Sequence, residues 1–154
     1  MPGLGSIELY GRYDRRTIAE AVGGKFSRYW QQGVVRAGND LILFVTLDKS
    51  THPAEYRYND RFLSAVVLQW ESQNQDSRLG RGRKYEQHVA AGVGIHLFVR
   101  KKSRTEEGTA SPFVYLGQIA FRDWEGDNPV VVRWALNSPV PIRLRTELLV
   151  PAGT

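Results

Sequence analysis

The run IHLFVRKK (95–102), the polar stretch SRTEEGTAS (103–111) and the run PFVYLGQIAFRD (112–123) decide how this chain folds. Both outer runs are rich in β-branched and aromatic residues, which pack well on a pleated surface. The stretch between them is too polar to continue either run, so it reads as a linker between two strands. Outward from this pair, LILFVTL (41–47) is almost wholly apolar and reads as a buried strand. Phe62 to Trp70 fits a strand or a helix by length, and the Val66-Val67-Leu68 cluster tips it toward strand. VVVRWAL (130–136) and PIRLRTELLV (141–150) read as the strands that complete the sheet.

The helical pieces are short. Asp14 is placed to cap RRTIAEAV (15–22), which stops at Gly23-Gly24 and would bury Ile18, Ala21 and Val22. FSRYWQQG (26–33) carries Tyr29 and Trp30 on a helical or irregular turn. Lys84 to Ala91 reads as a helix closed by Gly92 and Gly94. Residues 1–12 are Gly-rich and read as a loose lead-in, with 13–150 as a single domain. The expected fold is α+β: a small curved sheet or barrel of about five to seven strands with two or three short helices.

Composition narrows the partners. A chain of 154 residues buries roughly 70% of its unfolded surface, enough for a real core. No run approaches a membrane span, and the N-terminus lacks a signal-peptide pattern. The absence of cysteine removes disulfides and thiolate metal sites and fits a cytoplasmic location. The formal net charge of +5 favours polyanions through counterion release.

Familiar catalytic signatures fail. Gly24-Lys25 lacks the preceding P-loop glycine, and Phe26 stands where magnesium needs Ser or Thr. His52, His88 and His96 lie on separate segments without ligand spacing. No His-x-Lys, no Glu-x-Lys or Asp-x-Lys after a strand, and no G-x-S-x-G is found. Binding is favoured over catalysis, with no cofactor and no metal.

The stretch from Tyr56 to Lys84 carries the binding chemistry. YRYNDRFLSAVVLQWESQN (56–74) runs straight into QDSRLGRGRK (75–84). Arg78, Arg81, Arg83 and Lys84 seek phosphates, while Gln73 and Asn74 offer amide donors and acceptors beside Trp70. A solvated loop after a core strand accounts for the same residues.

The order of motifs adds a resemblance. YDRRTIAEAVG (13–23), LFVTLDKS (43–50), residues 56–74, RKYEQH (83–88) and GIHLFVRKK (94–102) form its first part. FVYLGQIAF (113–121), EGDNPVVVRWAL (125–136) and SPVPIRL (138–144) continue it. Together they resemble a bacterial domain family, of originally unknown function, found at the C-terminus of large restriction proteins. Those proteins join a phospholipase-D-like nuclease to a superfamily II helicase and cut DNA carrying modified cytosine. The resemblance implies the target-recognition part of a type IV restriction system, one that senses 5-methylcytosine in double-stranded DNA. It also implies a base-flipping barrel similar to SRA or PUA-like domains. Nuclease and helicase are not on this chain, which reads as a stand-alone reader or an excised domain, so the cleavage function is not carried over.

A flipped cytosine costs a few kcal/mol to unstack, and stacking on aromatic faces offsets it at roughly 1–3 kcal/mol per base. Tyr58, Trp70, Tyr85 and Tyr115 are the candidate faces, and Asp60, in Tyr-x-Asp spacing with Tyr58, is the candidate acceptor for cytosine N4. Each has a plainer reading: Tyr115 as barrel lining, Trp70 as a core plug, Asp60 as a turn cap or a partner of Arg57. Trp30 and Trp134 are assigned to the core, and His88 to packing or surface. Two other functions stand beside the DNA reader. One is a PUA-like binder of RNA or single strands. The other is a cryptic nuclease using Asp60, Glu71 or the Asp123-Trp124-Glu125 turn.

Overall fold

The computed structural model describes residues 4–48, 60–72 and 77–152. Eight strands form one open mixed sheet. They are β1 (Arg12–Tyr13), β2 (Val34–Ala37), β3 (Asp40–Thr46), β4 (Arg61–Ser64), β5 (Val67–Glu71), β6 (Ile95–Arg100), β7 (Phe113–Glu125) and β8 (Val131–Leu136). The order is β2-β3-β6-β7-β8-β5-β4, with β1 beside the start of β7. Only β3 and β6 run parallel; the other pairs are antiparallel. Three short helices accompany them: α1 (Arg15–Ala21), α2 (Arg83–Glu86) and α3 (Ile142–Arg145), with a 3-10 turn at Arg28–Gln31. Among the described residues no helix is long and apolar enough to cross a membrane.

The sheet is buried on both faces, and residue parity assigns each side chain to one of them. Leu41, Leu43 and Val45 of β3 join Leu97 and Val99 of β6 in a first core, with Leu68, Trp70, Trp134 and Leu144. Ile42 and Phe44 point the other way and meet Phe98, Phe113 and Tyr115 beneath α1 and Trp30. This explains the unbroken apolar run of β3, whose seven residues are all buried.

β7 is the spine. Its first half pairs with β1 and β6, and its second half with β8. Leu97 faces Gly117 while Phe98 faces Tyr115, so Leu116 is an extra residue in the ladder. Gly117 takes φ +89 there. The bulge flips the parity of the strand. Val114 and Leu116 therefore share a core with Ile119, three residues on instead of two.

Several expectations change. The strand count exceeds five to seven because Phe62–Trp70 is two strands rather than one. The chain turns at Ala65-Val66, where Ser64 Oγ accepts from Val66 N–H at 3.1 Å. VVRA (34–37) adds an edge strand that its exposed Arg36 disguised. PIRLRTELLV is not a strand: Leu144 and Leu148, four apart, are both buried, the spacing of one helical face. The helix after the basic loop is a single turn, Arg83–Glu86, followed by turns to Gly92 at φ +70. The lead-in from Leu4 onward is packed, with Leu4 and Ile7 in the second core. α1 follows its sequence closely: Asp14 Oδ1 accepts from Thr17 N–H at 2.8 Å, and Ile18 and Ala19 are its buried residues. Ala21 and Val22 are only half-buried.

Gly117→Ala is expected to destabilise the domain. The left-handed backbone alone costs an L-residue about 1–2 kcal/mol, and a Cβ there would sit 3.0 Å from Leu9 Cδ1. Denaturant unfolding should show the loss; a midpoint equal to the parent's would mean that the bulge is not needed.

Candidate nucleic-acid interface

The basic loop is a shaped element. Gly80 and Gly82 N–H both donate to the Ser77 carbonyl, at 3.3 and 2.9 Å, and Arg83 N–H donates to Gly80 O. Gly82 is buried in the turn, and a Cβ there would lie 2.6 Å from Ser77 O. Arg78 is tied down: its N–H donates to Asp127 Oδ1 at 2.6 Å and its guanidinium lies 3.6 Å from Oδ2. Between these anchors Leu79 is 89% exposed. A large apolar side chain held in water at the tip of a basic loop has no packing role.

Arg81 and Lys84 reach across to the sheet edge. With Tyr85 they border a cavity of about 190 Å³, whose far wall is Arg36 and Val34 of β2, with Tyr29 and Gln32. Tyr29 is half-exposed, and its hydroxyl accepts from Arg36 N–H at 2.6 Å, which fixes the ring at the rim. The Lys84 ammonium lies 5.3 Å from the centre of the Tyr85 ring. Three cations and two phenol rings thus converge from β2, the 3-10 turn and the basic loop. The volume is below the roughly 300 Å³ at which drug-sized pockets begin. It suits one ring or one phosphate.

The expected base pocket is not assembled as drawn. Tyr58, Gln73 and Asn74 lie outside the described residues. Trp70 and Tyr85 are buried edge-to-face at 5.1 Å, and both abut Trp134 in the first core. Tyr115 projects from the opposite face of the sheet, into the second core. It cannot stack on the same base as Trp70. Of the three, Tyr85 borders the cavity beside Arg81 and Lys84. Asp60 is buried at the head of β4, and its Oδ1 accepts from Glu71 N–H at 2.9 Å, so it closes the end of the β4–β5 ladder. Arg83 is exposed on α2. Asp123, Trp124 and Glu125 form the end of β7 rather than a turn, and the two carboxylates are spent on ion pairs, at 2.7 and 2.9 Å from Arg133.

Sequence reasoning missed Arg36 and Tyr29, because nothing local links residues 29 and 36 to residue 81. It also missed a buried polar chain. Asp40 Oδ2 meets His96 Nε2 at 2.9 Å, and His96 Nδ1 meets the Tyr115 hydroxyl at 2.8 Å. Burial works against Asp40 ionising, yet hydrogen bonds from His96 and Gly94 N–H outweigh it and hold its pKa below the ordinary value. Burial holds His96 below its ordinary value despite Asp40, so the imidazole is neutral. An ionised carboxylate only accepts, so Nε2 carries the proton and Nδ1 accepts from Tyr115. The tyrosine, pushed up to about 12 by burial and then by Asp40, keeps its proton. The chain pins β3, β6 and β7 together through the second core. His88 does similar work nearby, between Val93 O at 2.8 Å and Phe121 N–H at 3.1 Å. The signal available was a lone histidine inside an apolar strand.

These features define a small α+β domain with a basic, aromatic-rimmed surface cavity and a stiff polar core. The chain belongs to the family described as domain of unknown function DUF3427, whose model matches residues 7–148. None of the curated proteins compared with it matches.

Two outcomes follow. Because the folded state holds His96 neutral while the unfolded chain protonates near pH 6.5, its contribution to stability is complete above that pH and is lost as pH falls below it. Unfolding midpoints measured from pH 8 to pH 5 should fall, and His96→Gln should flatten the slope; parallel slopes would place the titration elsewhere. Gly82→Ala should open the loop while leaving the two cores folded, seen as faster amide exchange confined to residues 77–86.

Proposed function

We propose that this domain is a reader of modified cytosine in double-stranded DNA, the target-recognition module of a type IV restriction system, and a binding module rather than an enzyme. One observation carries the DNA-binding part: Arg36, Arg81 and Lys84 converge on a base-sized cavity lined by Tyr29 and Tyr85, and the loop that supplies Arg81 also exposes Leu79. The restriction setting, the 5-methylcytosine target and an SRA- or PUA-like ancestry for the sheet rest on the resemblance of the motifs given above. A nuclease or helicase partner in the cytoplasm would then do the cutting.

The division of labour follows from the chemistry. Arg81, Arg83, Lys84 and Arg36 contact phosphates and supply affinity without sequence information. Leu79 enters the stack as an apolar wedge, as leucine does in proteins that kink the duplex. The displaced base stacks on Tyr29 at the cavity mouth with Tyr85 behind it. Asp60 acts at a distance, by fixing the end of the β4–β5 ladder. Tyr58 as a further stacking face and Gln73 and Asn74 as base-edge partners belong to the same reading and lie outside the described residues. Burying a methyl group is worth only about 0.8 kcal/mol, so selectivity for 5-methylcytosine also needs shape around the C5 position.

Binding of duplexes carrying cytosine or 5-methylcytosine should be measured against salt. Arg81→Ala and Lys84→Ala should each lower the log–log salt slope by about one unit; unchanged slopes in both would remove this loop from the interface. Leu79→Ala should leave that slope intact but abolish the fluorescence rise of a base analogue placed opposite the modified cytosine. A quenched analogue with the parent protein at saturation would exclude flipping. Tighter binding to single-stranded RNA than to any duplex would replace the DNA reading altogether. Methylated plasmid incubated with magnesium should stay intact; cleavage lost in an Asp60 or Glu71 variant would make the domain a nuclease.

A further inference from the structure

We propose that a second cavity, walled by Arg15, Arg16, Arg100 and Arg104, is a binding site for a phosphomonoester. It goes beyond the DNA-reading surface and shares no lining residue with it. The cavity measures about 580 Å³, within the range of small-ligand sites. Its arginines come from the first turn of α1, the end of β6 and the β6–β7 linker, so the fold gathers them and the sequence does not.

Two of these guanidiniums are held rigid. Arg15 lies over the rings of Phe44 and Phe113, at 4.5 and 5.0 Å, and its Nη1 donates to the carbonyls of Trp30 and Gln32 at 3.0 and 2.9 Å. Arg100 also lies over the Phe113 ring, at 4.3 Å, with Nε donating to Thr46 Oγ1 and Nη1 to the Ser103 and Ser111 carbonyls. Neither Nη2 donates to a protein acceptor among the described residues, and neither arginine forms an ion pair there. Each guanidinium is therefore anchored by one edge and leaves the other for a ligand. Burial, and then repulsion along the Arg15–Arg100–Arg104 series, lowers both to about 10. The one carboxylate in the wall, Asp14, is occupied as the α1 cap. Four guanidiniums against that one carboxylate leave the wall strongly positive, which matches an anion with several oxygens. A phosphomonoester carries about −1.5 to −2 charges and three acceptor oxygens near neutral pH. The two sources with this chemistry are the 5′-phosphate of a DNA end and a free mononucleotide.

Calorimetry on the intact chain separates them. Deoxyadenosine 5′-monophosphate is expected to bind and deoxyadenosine is not. Arg16→Ala and Arg104→Ala alter exposed side chains and spare the anchored pair, and each should weaken binding roughly tenfold, the value of one charge-assisted hydrogen bond. Arg100→Lys, which keeps the charge and loses the fork, should weaken it as well. Arg81→Ala/Lys84→Ala should leave it unchanged even as duplex binding collapses. Stronger competition by a 5′-phosphorylated duplex than by its 5′-hydroxyl twin assigns the site to DNA ends; equal competition by the two duplexes, with the monophosphate still bound, assigns it to free nucleotide. Equal binding of nucleoside and monophosphate, or full affinity in both Arg16→Ala and Arg104→Ala, would overturn the proposal.

Discussion

The structure depends on a single strand having to serve two cores. β7 pairs with β1, β6 and β8 along its thirteen residues, and both of its faces are covered for much of that length. A regular strand keeps one parity from end to end. Val114 and Leu116 face the first core, so regular pleating would send Ile119 to the second. The extra residue at Leu116 and the left-handed Gly117 correct this, and the far half of the sheet can then close over Trp70 and Trp134. A second extra residue, between Phe121 and Asp123, shifts the register of β7 again along β8.

The same two-sided burial sorts the aromatic residues. The first core gathers Trp70, Tyr85, Trp134 and the partly buried Phe121 in mutual edge contacts. The second gathers Phe44, Phe98, Phe113 and Tyr115. Rings packed this way stabilise the fold and, apart from Tyr85 at the wall of the cavity beside Arg81, present no free face to a base. What remains at the surface is a few rings at the rims, Tyr29 and Phe26 among them, with arginines beside or over them. Both basic cavities therefore sit at the margins of the sheet, where a core ring or a fixed tyrosine forms the back wall and cations form the mouth.

Charge is distributed with similar economy. Arg78, Arg133 and Arg12 are paired with Asp127, with Asp123 and Glu125, and with Glu147. Those pairs tie the basic loop, the β7–β8 hairpin and the C-terminal segment in place. Arginines 15 and 100 are held by carbonyls and rings instead, which fixes their direction without cancelling their charge. Inside the second core the Asp40–His96–Tyr115 chain supplies its own partners, so its buried polar atoms do not need water.

By itself the sequence determined the element types wherever local chemistry is decisive. The apolar run of β3, the strands around the 103–111 linker, the Asp14 cap and the core roles of Trp30 and Trp134 are all legible in it, because burial on two faces and capping leave composition signals that few alternatives share. The order of its motifs likewise pointed to the family. The sequence did not carry the break at Ala65-Val66, since a turn closed by one serine hydroxyl costs no apolar residue, and it did not carry α3, whose apolar residues suit either period. Only the tertiary structure decided which aromatics meet which charges. Asp60 and Trp70 do sit together at one end of the β4–β5 ladder, where Asp60 is engaged by Glu71 N–H, but Tyr115 faces the other side of the sheet and cannot join them. Arg36 meets Arg81, and Arg15 meets Arg100, through pairings of distant strands and helices that no local spacing encodes.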